Sequence, residues 1–222
     1  MLRPRRTWIG ERRRKYGSLS LSLSEYAIGY RRKAPRVGEG GMEFREAVAD
    51  DAANLAALTT QVFLHTYAKR GVRTALSTYV LSEFTADKFL QALEDKQQIF
   101  VVCCEGAHLV GYVRLAFSAP CPSDDRLQSE IATLYVQEHF LRRGIGTQLL
   151  NRALQTLHRR GADAAWLSVN HENADAIAFY ERHGFQSAGS TDFELDGERH
   201  ENFIFRRALD GGDDGEGVAE WG

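Results

Sequence analysis

Between residues 42 and 209, apolar positions follow two alternating rhythms, one of period two and one near 3.6. Residues 43–48 can form a short strand. Asp50 and Asp51 then supply an N-cap for a helix over 51–67, where Leu55, Leu58 and Val62 recur at helical spacing. The pattern predicts further helices over 73–81 and 85–94, the second opened by Thr85 as cap. Residues 99–104 and 109–117 are β-rich runs divided by Glu105-Gly106, a tight hairpin signal. Residues 130–136 read as another strand. Residues 144–160 read as a helix whose Ile145, Leu149, Leu150, Leu154 and Leu157 make one apolar stripe, closed by Gly161. A short strand over 165–169, a helix over 173–183 ended by Gly184, and two strands pairing across Asp196-Gly197 complete the run. The order β-ααα-β-β-β-α-β-α-β-β predicts a mixed α/β layer fold.

The flanks are different material. Residues 1–41 hold 11 Lys+Arg against 3 Asp+Glu, while the rest holds 17 against 27, so a net charge of -2 conceals +8 upstream and -10 downstream. Residues 1–41 lack a face that could be buried, and Ser and Leu alternate from Ser18 to Ser24. They read as a disordered basic extension ahead of a domain over 42–209. A transit peptide and a nucleic-acid-binding arm stay open as other readings. Residues 210–222, rich in Gly and Asp, read as a disordered acidic tail. A chain of 222 residues with 43% apolar content suits one domain, and it has no apolar run of about 18 residues, so no spanning helix is expected. Cys103, Cys104 and Cys121 show neither metal nor redox spacing. Free thiols point to a reducing compartment, with the cytoplasm as default. The seven histidines lack metal-binding spacing, so no metal is expected. An acidic body suits a cationic substrate and makes nucleic acid a poor partner.

The chemistry concentrates in two segments. In the first, Val136 through Thr147, the glycines Gly144 and Gly146 lie between a strand and a long helix, with Arg142 and Arg143 before them. Such glycines let backbone approach a ligand, and helix N–H groups favour phosphate oxygens. On its own the pair fits either a tight β-to-α connection or a phosphate loop. No Gly-Lys-Ser/Thr follows and the third glycine of a dinucleotide fingerprint is missing, which sets ATP and NAD behind another phosphate ligand. The second segment is Asn173-Ala174-Asp175-Ala176-Ile177-Ala178-Phe179-Tyr180-Glu181-Arg182-His183-Gly184-Phe185. Asn173 and Tyr180 lie seven residues apart, about two helical turns, so they share a face.

Together, in order and spacing, the two segments resemble the adjacent motifs of the GNAT superfamily of N-acetyltransferases. The likeness runs from Met42 to about Leu209 and is strongest from Glu130 to Phe185. It implies a mostly antiparallel central sheet flanked by helices, with a splayed strand pair forming a CoA cleft. It also implies acetyl transfer from acetyl-CoA to a primary amine by direct attack. By the same resemblance, Leu134, Tyr135 and Val136 hydrogen-bond the pantetheine arm and Asn173 orients it. The loop Leu141, Arg142, Arg143, Gly144, Ile145, Gly146 and Thr147 holds the pyrophosphate. Tyr180 protonates the departing thiolate, and Glu130 matches a carboxylate base found in some members. Leu141 stands where the family usually has Gln or Arg, and Arg142 replaces a common glycine, so altered CoA affinity is expected. A softer likeness to bacterial polyamine acetyltransferases rests on residues 61–67 and 191–199, with Glu83, Asp87, Asp192, Glu194, Glu198 and Glu201 as candidate cleft carboxylates. A protein N-terminus as acceptor, a non-catalytic acyl-CoA-binding module, a DNA-associated regulator and a homodimer stay open.

Overall fold

The computed structural model describes residues 41–195 and 198–209. The expected disorder of residues 1–40 and 210–222, and the expected turn at Asp196-Gly197, lie outside these residues. The sequence forms β1 (Met42–Glu46), α1 (Ala52–Tyr67), α2 (Thr74–Glu83), α3 (Ala86–Glu94), β2 (Gln98–Glu105) and β3 (His108–Ala116). Then come β4 (Glu130–Val136), α4 (Ile145–Arg159), β5 (Ala164–Asn170), α5 (Ala174–Arg182), β6 (Gln186–Leu195) and β7 (Glu198–Ala208). The element order is the one the periodicity predicts. One seven-stranded sheet runs β1-β2-β3-β4-β5-β7-β6, with every neighbouring pair antiparallel except β4 and β5.

Two apolar layers enclose the sheet because its central strands are buried on both faces. Phe100, Val102, Cys104 and Tyr112 pack against Ala52, Leu55 and Leu58 of α1 and Phe89 of α3. The alternate residues Val101, Cys103, Val113 and Leu115 meet the α4 stripe Ile145, Leu149, Leu150, Leu154 and Leu157 on the other face. That alternation also fixes the cysteines. All three are free and buried, and burial pushes the Cys103 thiol up to about 11 and raises Cys104 as well. They are packing groups rather than nucleophiles.

Thr85 caps α3 as expected, accepting from the Lys88 N–H. Asp50 and Asp51 do not cap α1 through a side chain. Asp51, 6% exposed, instead receives two hydrogen bonds from the Arg45 guanidinium at 2.7 and 2.9 Å and one from the Val48 N–H at 2.8 Å. A buried carboxylate needs such pairing, which draws it back across the preceding turn to β1. Burial alone would raise its carboxyl, but the hydrogen bonds from Arg45 and Val48 outweigh that and hold it below the usual carboxylate range.

Gly111 lets β3 pass close to the backbone of β4. A Cβ there would sit 2.9 Å from the Tyr135 carbonyl oxygen, a backbone atom that cannot swing aside. Gly111→Ala is expected to destabilise the protein by about 2 kcal/mol, read as a lower denaturation midpoint, because β3 must move off β4. An unchanged midpoint would show that the strands can separate there without loss.

Candidate active site

Where β4 meets β5, the sheet opens. The two parallel strands share one registered pair, Glu130 with Trp166, reinforced by the Trp166 N–H donating to the Ser129 carbonyl at 3.0 Å. Beyond it β5 pairs with β7 on its other side along its whole length, and β4 pairs with β3. The edge of β4 from Ile131 to Val136 that faces β5 therefore has no strand partner among the described residues. Backbone N–H and C=O groups left this way accept an extended amide ligand as they would another strand.

A bulge in β4 decides which side chains share a face. Residues 130 and 135 are an odd number apart, so a regular strand would point them to opposite faces. The β3 partners, however, run Ala116 to Glu130, Arg114 to Thr133 and Tyr112 to Tyr135, with Ala132 as the extra residue. Ala116, Arg114 and Tyr112 alternate regularly, so Glu130, Thr133 and Tyr135 all join the face covered by α1 and α3. Burial raises the Glu130 carboxyl, with the Arg114 charge pulling the other way. The Tyr135 hydroxyl is raised well above its ordinary value, first by burial and then by the nearby Tyr112, Tyr67, Tyr180 and Tyr79. Leu134 and Val136 turn instead toward the α4 layer.

The loop after β4 first folds back on itself. Gln137 donates its N–H to the Val110 carbonyl at 2.8 Å and its side-chain amide to Gln61 of α1 at 3.2 Å. Phe140 and Leu141 donate to the carbonyls of Gln137 and Glu138. The Leu141 N–H is thus already engaged, and its side chain is 52% exposed. The character then changes. Arg142 and Gly144 both take left-handed backbone, at φ 59° and 78°, and Gly144 heads α4 without a side-chain cap. From Arg142 to Thr147 no N–H finds a backbone acceptor among the described residues, and Gln148 is the first to do so, on Gly144. These free donors lie at the positive end of a 15-residue helix, an arrangement that favours an anion. The left-handed Arg142 is the strained member, since only glycine adopts that conformation freely. Arg143 is turned away, 3.0 Å from Glu105 and over the Phe140 ring at 4.9 Å. No ion pair of Arg142 appears among the described residues, in contrast to Arg143.

On α5, Asn173 is itself the cap. Its side-chain oxygen accepts from the Ala176 N–H at 3.2 Å, so its amide NH2 is the group left to reach a ligand. Tyr180 is 8% exposed, its ring edge-on to both Phe179 and Phe185 at centroid distances of 5.3 and 5.7 Å. Burial raises its hydroxyl well above the ordinary value. That hydroxyl makes no hydrogen bond among the described residues. The expected acidic cleft is less clear. Glu83 pairs with Lys88 at 2.8 Å and Asp192 with Arg199 at 3.5 Å, Asp87 and Glu201 are exposed, and the Glu194 and Glu198 side chains lie outside the described set. No group of side chains among the described residues could hold a metal ion, and no described helix is long and apolar enough to cross a membrane.

Sequence reasoning missed Arg114 beside Glu130, the link from Gln61 to Gln137, and a bond from Thr147 to His183. Each joins residues more than a dozen positions apart, and none has a local signature.

With this geometry in view, the chain matches the family model described as "Acetyltransferase (GNAT) family" over residues 62–185, more than half its length. It is 28% identical over 160 residues to an uncharacterized N-acetyltransferase of Mycobacterium bovis, covering 72% of this chain and 98% of that protein. It is 45% identical over 60 residues to the [ribosomal protein bS18]-alanine N-acetyltransferase of Salmonella typhimurium, covering 26% of this chain and 40% of that one. Its fold is similar to the crystal structure of the PaiA N-acetyltransferase of Thermoplasma acidophilum in complex with coenzyme A. That likeness has a TM-score of 0.62 and 19% identity over 76% of this chain and 99% of that one.

Proposed function

The chain belongs to the acetyltransferase (GNAT) family of acetyl-CoA-dependent N-acetyltransferases, and on that premise we propose that it acetylates a small primary amine by direct attack in a ternary complex. The observation that carries this reading is the unpartnered edge of β4 leading straight into the unsatisfied amides of Arg142 to Thr147. The pantetheine arm lies along Leu134, Tyr135 and Val136 as an added strand and is steadied by the Asn173 amide. The pyrophosphate sits on the amides of Arg142, Arg143, Gly144, Ile145, Gly146 and Thr147, while Leu141 contributes only an apolar side chain because its N–H is engaged. Arg142 supplies the side-chain contact that the family's Gln or Arg makes from the Leu141 position.

The chemistry follows from two groups in unlike surroundings. An alkylamine near the lysine reference of about 10.4 arrives protonated and must lose a proton before its lone pair can attack. Glu130, its carboxyl raised by burial against the pull of the Arg114 charge, takes that proton in its ionised form. The amine nitrogen bonds to the thioester carbonyl carbon and the C–S bond breaks. The sulfur leaves with the electron pair and receives the Tyr180 proton, and the second proton, shed by the new amide nitrogen, returns through water to the tyrosinate. The acidic body favours a cationic acceptor, so polyamines are the first class to try. A protein N-terminal amine is the second reading, favoured by the likeness to the bS18-alanine enzyme.

Calorimetric titration with CoA, followed by thiol release from acetyl-CoA with a polyamine, a monoamine and an alanine-led peptide, tests both levels. CoA is expected to bind with heat, and one acceptor class to drive thiol release. Absence of any CoA binding by folded protein refutes the reading. CoA binding without turnover on any amine would favour a non-catalytic acyl-CoA-binding module.

A further inference from the structure

Beside the proposed phosphate site, two hydrogen bonds meet at His183, the C-cap of α5, and one of them ties it to the start of α4. The His183 Nδ1 lies 2.7 Å from the Phe179 carbonyl oxygen, and its Nε2 lies 3.2 Å from the Thr147 hydroxyl. The Phe179 ring is tilted against the imidazole at 4.3 Å and lies across Gly146, where an added Cβ would meet it at 3.6 Å. The imidazole is therefore held by hydrogen bonds at both nitrogens and by a ring on its face.

A carbonyl oxygen can only accept, so the Nδ1 must carry a proton, and in the neutral imidazole the Nε2 is left as an acceptor. The single hydroxyl proton of Thr147 then points to His183. Its oxygen presents only lone pairs to the first turn of α4, where they repel phosphate oxygens. In the imidazolium both nitrogens donate. The Nε2–H now points to the Thr147 oxygen, and the hydroxyl proton is released toward an anion, with a positive charge one group behind it.

We propose that His183 is a positioning residue for phosphate binding, switching the Thr147 hydroxyl from anion-repelling to anion-donating as it takes up a proton. The inference rests on the reading that the first turn of α4 holds the pyrophosphate of acetyl-CoA. Binding and protonation are then linked: the ligand draws a proton onto His183, and affinity is greater at about pH 6 than at about pH 8. Arg207 of β7 donates to the His183 carbonyl at 2.7 Å, and the charged Glu181 and Arg182 precede His183 in the chain. Arg142 and the Glu105-paired Arg143 lie in the loop before α4. The guanidiniums keep their charge across this range and do not supply the dependence.

Dephospho-CoA is the probe, because its pyrophosphate keeps a constant charge near neutrality whereas the 3′-phosphate of CoA does not. It is titrated calorimetrically into the full chain at about pH 6 and pH 8, in buffers of different ionisation heat. Binding is expected to be about fivefold tighter at the lower pH, with net proton uptake. In His183→Gln and Thr147→Val both the slope and the uptake are expected to vanish while binding persists, and Thr147→Ser is expected to restore them. Wild-type binding without proton uptake, or uptake that survives in both variants, overturns the role of His183. Failure of the folded wild type to bind at either pH overturns the pyrophosphate reading and this inference with it.

Discussion

Tyr180→Phe is expected to lower kcat by about 10²-fold while KM for acetyl-CoA changes by less than about threefold. The substitution removes one oxygen and leaves the ring packed between Phe179 and Phe185. That hydroxyl has no hydrogen-bond partner among the described residues, so its loss breaks no bond within the fold. Removing a hydroxyl that has no partner within the fold is close to neutral for stability. Two roles for Tyr180 are thereby separated. A packing aromatic predicts unchanged turnover, whereas an acid predicts a large loss of turnover in a protein about as stable as before. Burial raises the hydroxyl above its ordinary value, which keeps the proton in place until a thiolate forms against it. An unchanged kcat, measured by thiol release with saturating amine, removes Tyr180 from the acid role.

How far the site could be read in advance depends on whether its parts are local. The Thr85 cap, the α4 stripe and the Gly144 turn are decided by residues within a few positions of each other, and the sequence expectations for them match the structure. The unpaired amides follow from the same local logic, since a glycine-headed helix has no side chain with which to cap itself. What was hidden is settled by pairing across the sheet. Nothing in Glu-Ile-Ala-Thr-Leu-Tyr-Val announces that Ala132 is a bulge, because a strict alternation of that segment is equally good as a strand. Only the register against Arg114 and Tyr112 brings Glu130 to the face of Tyr135. Likewise Arg143 reads as a phosphate cation in the sequence, yet Glu105, across the adjacent hairpin, draws it away. Asp51 reads as a cap until Arg45 is seen beside it.

That bulge sets Glu130 on the face of Tyr135, and for the proposed base Glu130→Gln is expected to lower kcat about 10²-fold near neutral pH. In the wild type the rate should rise with pH through a carboxyl displaced upward from 4.5, because the base works only when ionised. In the variant that limb should disappear, and the residual rate should instead climb at high pH with the fraction of free amine. Stability supplies an independent reading with the opposite sign. The Glu130 carboxyl is raised in the folded state, so above pH 4.5 the native protein holds more protons than the unfolded chain, and stability falls as pH climbs through that window. Gln imitates the protonated form and escapes this loss. The variant should therefore melt higher than the wild type at pH 7, with the difference closing below about pH 4.5. A structural ion pair with Arg114 would do the reverse, since removing one partner strands the other charge. A variant that is less stable at pH 7 and retains the wild-type pH–rate profile would make Glu130 a structural partner of Arg114 and leave deprotonation to another group.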